Sequence, residues 1–243
     1  MKVLWIKVAT TSLEPEHAQL IELAYRPQIN GAFMSETKHM ILKPVLLEDD
    51  KRYLGADPAD MIRWYNNANR DPRKQLAGFR FSEEDPYLFM YARGALTAGM
   101  PDGKLRDPRD WLVKGRMYPE VALTRLLEDL ASHSTDTNGH WTLAGHNVEF
   151  DAAVFRFWCE RILGSDTLLN AVFSDGRNLD TVMLARLLGA FGKVNPAYGS
   201  YSLASVTKCL GIEMPEYPNA KESLNAIIRL AVTVGELMKG TEI

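Results

Sequence analysis

The sequence predicts a single α/β domain spanning 1–243: a mixed sheet whose first three strands are antiparallel, flanked by helices, with one inserted arm. Three observations lead there. Three β-like runs crowd into the first forty or so residues, with turn chemistry at Asn30-Gly31. From Tyr118 onward the pattern changes to a short apolar strand followed by segments with helical apolar spacing. Strands first and then strand plus helices is the order of an α/β sheet with a meander at its edge.

Val3 to Val8 is the first apolar run and Gln19 to Arg26 the second. Ala32 to Leu42 alternates as a third and stops at Pro44. Asp57-Pro58-Ala59-Asp60 has the chemistry of a helix start, with proline at the first helical position, and Met61, Ile62, Trp64 and Tyr65 give that helix an apolar side. Residues 70–116 differ: glycine and proline recur without steady periodicity, and ten Lys and Arg face seven Asp and Glu. That stretch is the inserted arm, either a surface excursion or a partner-binding element. Pro119 to His133 then spaces Val121, Leu123, Leu126, Leu127 and Leu130 as an inner face. Trp141 to Gly145 is a strand. Val148 to Leu163, Leu179 to Leu188, Ser202 to Leu210 and Glu222 to Met238 are helices, the last with Leu224, Ile227, Ile228, Ala231 and Leu237 on one side.

A hydrophobic share of 46% supplies a core, and a net charge of −3 argues against a dedicated nucleic-acid binder with a broadly basic face. The N-terminus lacks the apolar run of a signal peptide, and no stretch approaches a membrane span. Cys159 and Cys209 show no ligand or disulfide spacing and read as buried free thiols of a reducing compartment. The expected location is the cytoplasm.

Three segments carry a resemblance. Trp5-Ile6-Lys7-Val8-Ala9-Thr10-Thr11-Ser12-Leu13-Glu14-Pro15 leads into Gln19-Leu20-Ile21-Glu22-Leu23-Ala24. Ala144-Gly145-His146-Asn147-Val148-Glu149-Phe150-Asp151 is the second. Tyr201-Ser202-Leu203, Leu210-Gly211-Ile212 and Pro218-Asn219-Ala220-Lys221-Glu222-Ser223 form the third. In order and spacing these resemble the three motifs of the DEDDh (DnaQ-like, ribonuclease H-like) 3′→5′ exonucleases, in a degenerate form similar to phage-type members. The resemblance implies a ribonuclease H-like sheet. In active members four carboxylates hold two divalent cations about 4 Å apart, and a histidine serves as general base.

Matched position by position, Lys7 stands where the first Asp belongs and Ala9 where the Glu belongs. Asp151 is retained, Pro218 replaces the histidine and Ser223 the last Asp. Lys7 and Ala9 are two apart on a strand and share a face, so an ammonium stands where cations would bind. The reading is a pseudoenzyme with no cofactor and no metal. Two rescues are conceivable: a one-residue shift bringing in Glu222 with Tyr217 as base, or Asp180 as a spare ligand, although Asp before Thr at a helix start reads first as a cap. Lys7 either pairs with Asp151 in place of metal or points into solvent. His146 and Asn147 read as holding the strand–helix turn.

The function expected from this set is protein binding by an inactive exonuclease fold. If phage-encoded, it would act as an inhibitor of a host ribonuclease or RNA-degrading complex. The acidic runs Glu48-Asp49-Asp50 and Glu83-Glu84-Asp85 are the candidate partner-binding residues. A homodimer is expected by analogy with family members. The alternatives are a non-cleaving single-strand binder using the Arg, Lys and aromatic residues of 70–116, and a residual metal-dependent exonuclease.

Overall fold

A computed structural model of the chain describes residues 1–10, 20–42, 117–133, 140–164, 172–173, 178–196, 199–215 and 218–239. Strands β1 (Lys2–Thr10), β2 (Leu20–Ile29), β3 (Ala32–Phe33) and β4 (Lys38–Ile41) open the chain. Helix α1 (Pro119–Ser132), strand β5 (Trp141–Gly145) and helix α2 (Val148–Leu163) follow. Strand β6 (Leu179–Asp180) and helices α3 (Thr181–Ala190), α4 (Leu203–Cys209) and α5 (Ala220–Lys239) complete it. Among the described residues the sheet runs β3-β2-β1-β5-β6, with β4 also paired to β2.

β1 is the axis of the fold. It pairs antiparallel with β2 along its length, Lys2 opposite Ile29 and Ala9 opposite Glu22, and parallel with β5 from Lys2–Trp141 to Trp5–Ala144. Alternation sends Leu4, Ile6 and Val8 into a core with Leu123, Leu126, Phe155 and Trp158 of α1 and α2. Val3 and Trp5 take the other face, against Leu224, Ile227 and Ile228 of α5. Helices therefore cover both sides of the sheet, the condition under which a strand can be apolar at nearly every position.

Several elements depart from the sequence expectations. β2 runs past Arg26 to Ile29 although Pro27 has no N–H to give. The Pro27 carbonyl accepts from Met34 N at 3.0 Å, so the side of Pro27 that lacks a donor faces the gap between β3 and β4 and leaves β1 paired. The expected third strand splits in two, because the chain bends at Ser35-Glu36. Arg26 Nε donates to Ser35 O at 2.8 Å, and Thr37 Oγ1 donates to Asn225 Oδ1 at 2.6 Å. Leu179-Asp180 joins the sheet beside Ala144-Gly145 as β6, and its helix begins only at Thr181. On α1 Ala122 faces inward and Val121 is exposed. Cys159 is buried, its thiol pushed up to about 12 by burial, whereas Cys209 is exposed at the end of α4, where Val206 and Thr207 form the inner face.

Met117 N donates to Ile41 O at 3.1 Å, and Leu42 bridges to Met117. The chain therefore returns at 117 to the point it left at 42. The expected helix from Asp57, the arm 70–116 and both acidic runs, Glu48 to Asp50 and Glu83 to Asp85, lie outside the described residues. No described helix is long and apolar enough to cross a membrane.

Candidate functional site

Parallel strands β1, β5 and β6 end on the same side of the sheet, the side where open α/β sheets place their sites. The pairing of β1 to β5 stops at Trp5–Ala144, and β1 continues to Thr10 beside β2. Past that point β5 offers no paired residue to Val8. Asp151 fills the vacancy from the first turn of α2: Val8 N donates to its Oδ1 at 2.8 Å. Lys7, one residue back on β1, donates from Nζ to Oδ1 at 2.7 Å and to Oδ2 at 3.0 Å. The Asp151 side chain is fully buried and that of Lys7 is 24% exposed.

The ion pair suggested by the sequence is therefore formed, and Lys7 does not run free into solvent. Burial pushes the Asp151 carboxyl up from its ordinary range. The Lys7 charge and the Val8 amide oppose that shift.

The turn between β5 and α2 is held by polar contacts. Asn147 caps α2 in the left-handed conformation at φ 57°, and its N–H donates to Asp180 Oδ1 at 2.9 Å. The same oxygen accepts from Val182 N at 2.9 Å, the cap expected from Asp before Thr. His146 Nε2 donates to Tyr201 O at 2.9 Å and Nδ1 lies 2.9 Å from Thr181 Oγ1. With its proton on Nε2, the ring ties β5 to the starts of α3 and α4. Burial lowers its pKa.

On the α5 side, Ala9 packs against the apolar cluster containing Ala220 and Leu224. Pro218 is half-buried just before α5 and Ser223 is buried in its first turn. Glu222 does not point into a site. Its Oε2 accepts from Asn219 N at 2.9 Å while Asn219 Oδ1 accepts from Glu222 N at 2.9 Å, a reciprocal cap. The Asn-x-x-Glu spacing made that cap readable in the sequence. Tyr217 lies outside the described residues.

Glu22, quoted in the first motif without a role, is buried on β2 opposite Ala9. Its Oε2 accepts from Ala220 N at 2.8 Å, at the positive end of α5, and sits 3.1 Å from His39 Nε2 on β4. A glutamate inside an apolar strand was the available signal.

A pair of divalent cations does not fit this donor set. Hard cations need several anionic oxygens. Asp151 has both oxygens committed to Lys7, Ala9 has no donor, the Ser223 hydroxyl is neutral, and Asp180 and Glu222 serve as caps. The site as built does one thing well: it locks β1 to α2 through a buried ion pair.

No protein-family model matches the chain, and no curated protein sequence does. Solved structures do. Exonuclease I from Methylocaldum szegediense, moderately thermophilic, superposes with a TM-score of 0.61 at 17% identity, over 98% of this chain and 41% of its own. E. coli Exonuclease I in complex with a dT13 oligonucleotide gives 0.61 at 17% identity, over 98% and 42%. The zinc-bound E. coli ExoI-ssDNA complex gives 0.62 at 17% identity, over 98% and 41%. The chain thus spans about two fifths of the length of these proteins. What it shares with them is the ribonuclease H-like exonuclease fold.

Proposed function

We propose that this chain is a pseudoexonuclease, an exonuclease fold that acts by binding a protein partner and does not cleave nucleic acid. The observation that carries the reading is the Lys7 ammonium bonded to both oxygens of Asp151, which are completed by the Val8 amide. A cation built into the chain stands where the resemblance puts metal ions. It neutralises the single retained carboxylate without supplying a lone pair. No general base stands at Pro218.

We extend the proposal to the partner: a host ribonuclease or RNA-degrading complex whose basic RNA-binding surface meets the acidic runs at 48–50 and 83–85, with the protein phage-encoded and acting in the host cytoplasm. The test has two parts. Labelled single-stranded DNA and RNA, incubated with Mg²⁺ or Mn²⁺, should keep their length; metal-dependent shortening that Lys7→Ala or Asp151→Ala alters would overturn the pseudoenzyme reading. Affinity capture from host extract should enrich a ribonuclease assembly, and charge reversal of Glu48, Asp49 and Asp50 should abolish that capture.

The oligonucleotide complexes of the structural neighbours favour a second reading, a single-strand binder that does not cut. Binding that weakens steeply with salt would mark it.

A further inference from the structure

Helix α3 is apolar on two sides. Ala185 and Leu188 face inward, buried with Val194, Val206, Leu230 and Val234. Outward, Met183 is 61% exposed, Leu187 42% and Phe191 63%. Residues four apart lie on one side of a helix, so these three form a stripe about 12 Å long. A contiguous apolar stripe left in water marks a surface that another molecule covers.

The border of this stripe is positive. Arg186 is exposed in the same turn as Leu187, its guanidinium 6.0 Å from the centroid of the Tyr201 ring. Tyr201 reaches that place because position 189 is glycine: a Cβ there would collide with the tyrosine hydroxyl. Lys193 is exposed just past the end of α3, and Lys208 at the end of α4. From Thr181 to Ile212 the sequence holds these three cations and no Asp or Glu. On the neighbouring α5, Glu236 is paired with Lys239 at 2.9 Å. Among the described residues no carboxylate pairs with Arg186 or Lys193.

We propose that this face docks an amphipathic helix of a partner protein. The apolar edge of that helix lies along Met183, Leu187 and Phe191, and its flanking Asp and Glu meet Arg186 and Lys193. Size and charge both select this occupant. The three exposed side chains offer on the order of 300 Å², well short of the ~800 Å² that each partner of a standard interface buries. That suits one helix laid along two turns of α3, and not a folded subunit. A second copy of α3 would set cation against cation, whereas acidic flanks neutralise both. Antiparallel packing brings the N-terminus of the docked helix, where acidic residues are favoured, beside Lys193. A nucleic-acid strand would leave Met183 and Leu187 without a partner, since cations and rings are what it uses. The inference goes beyond the pseudoexonuclease reading and does not depend on it, because the face lies apart from the cleft and from the acidic runs.

The experiment is fluorescence anisotropy of the full chain with a labelled synthetic helix that carries leucine at every third or fourth position and glutamate on both flanks. It should bind at micromolar concentration and weaken as salt is raised. The same helix with lysine for glutamate should bind at least tenfold more weakly. Leu187→Asp and Arg186→Glu should each weaken the acidic helix at least tenfold while keeping the circular dichroism of the parent. Val232→Asp, on the exposed side of α5, should leave binding unchanged. Arg186→Glu should in turn improve binding of the lysine-flanked helix, which a merely unfolded variant would not do. Equal binding of the two helices, no binding of the acidic one, or binding that survives Leu187→Asp overturns the proposal. So does a labelled oligo(dT) or an anionic phosphatidylglycerol vesicle that takes the Leu187 face in preference to the acidic helix. A dimer of the chain alone that Leu187→Asp dissociates in sedimentation overturns it too.

Discussion

Replacing Lys7 by methionine is the perturbation that asks most of this structure. Methionine keeps the length of the stem and removes the ammonium, leaving Asp151 fully buried with the Val8 amide as its remaining described donor. Breaking a buried pair from one side strands a charge and costs about 3–5 kcal/mol. Asp151→Asn should cost less, about 1–2 kcal/mol, because an amide oxygen still accepts from Val8 and a quarter-exposed Lys7 can turn to water. The double variant Lys7→Met/Asp151→Asn should fall short of the sum, with a coupling on the order of 2 kcal/mol.

The cost also has a pH signature. With Asp151 held above its ordinary 3.8, the folded state keeps a proton that the unfolded chain has lost. Stability therefore falls as pH rises from 3.8 through the folded value. Removing Lys7 moves the folded value further up, so the difference between variant and parent should be small in acid and full above that window. Urea unfolding at several pH values measures it through the midpoint at constant slope. A Lys7→Met protein within about 0.5 kcal/mol of the parent at neutral pH would refute the argument, since that is the range of an ordinary surface change.

Three further outcomes follow from the same geometry. Lys7→Asp/Ala9→Glu should acquire a Mn²⁺-dependent stabilisation of about 2.7 kcal/mol at a hundredfold excess over the dissociation constant, seen as a raised melting temperature, and the parent should show none; calorimetric titration checks both. His146 is held neutral in the fold while the unfolded chain takes up a proton near 6.5, so stability should drop as pH falls below that value, by at most about 1.4 kcal/mol per unit. His146→Gln should flatten that slope in thermal melts. Glu22→Ala should cost about 1–3 kcal/mol in urea, through the Ala220 amide left unpaired at the head of α5, and Glu22→Gln should cost less because it still offers an acceptor.

The elements that the sequence foretold well are those whose signals are local. Helix α2 was bounded correctly at both ends, and Gly164 closes it in the left-handed conformation at φ 69°. The Asp180 cap and the strand Trp141 to Gly145 were equally legible. β6 was not: two residues make a strand only because Ala144 and Gly145 lie beside them. The break between β3 and β4 was hidden for a similar reason, since it is pinned by Arg26 and by Asn225, nine and 188 residues away.

The candidate site divides along the same line. Residue identity alone established that a lysine and an alanine replace two carboxylates on one strand face, because alternation along a strand fixes which side chains share a side. The tertiary structure decided where that lysine goes. It placed Asp151, 144 residues further on, at the point where β1 outruns its pairing with β5. It also turned Glu22 into the anchor of α5. Charge and periodicity are properties of the chain, whereas which carboxylate meets which donor depends on the few ångströms that packing sets.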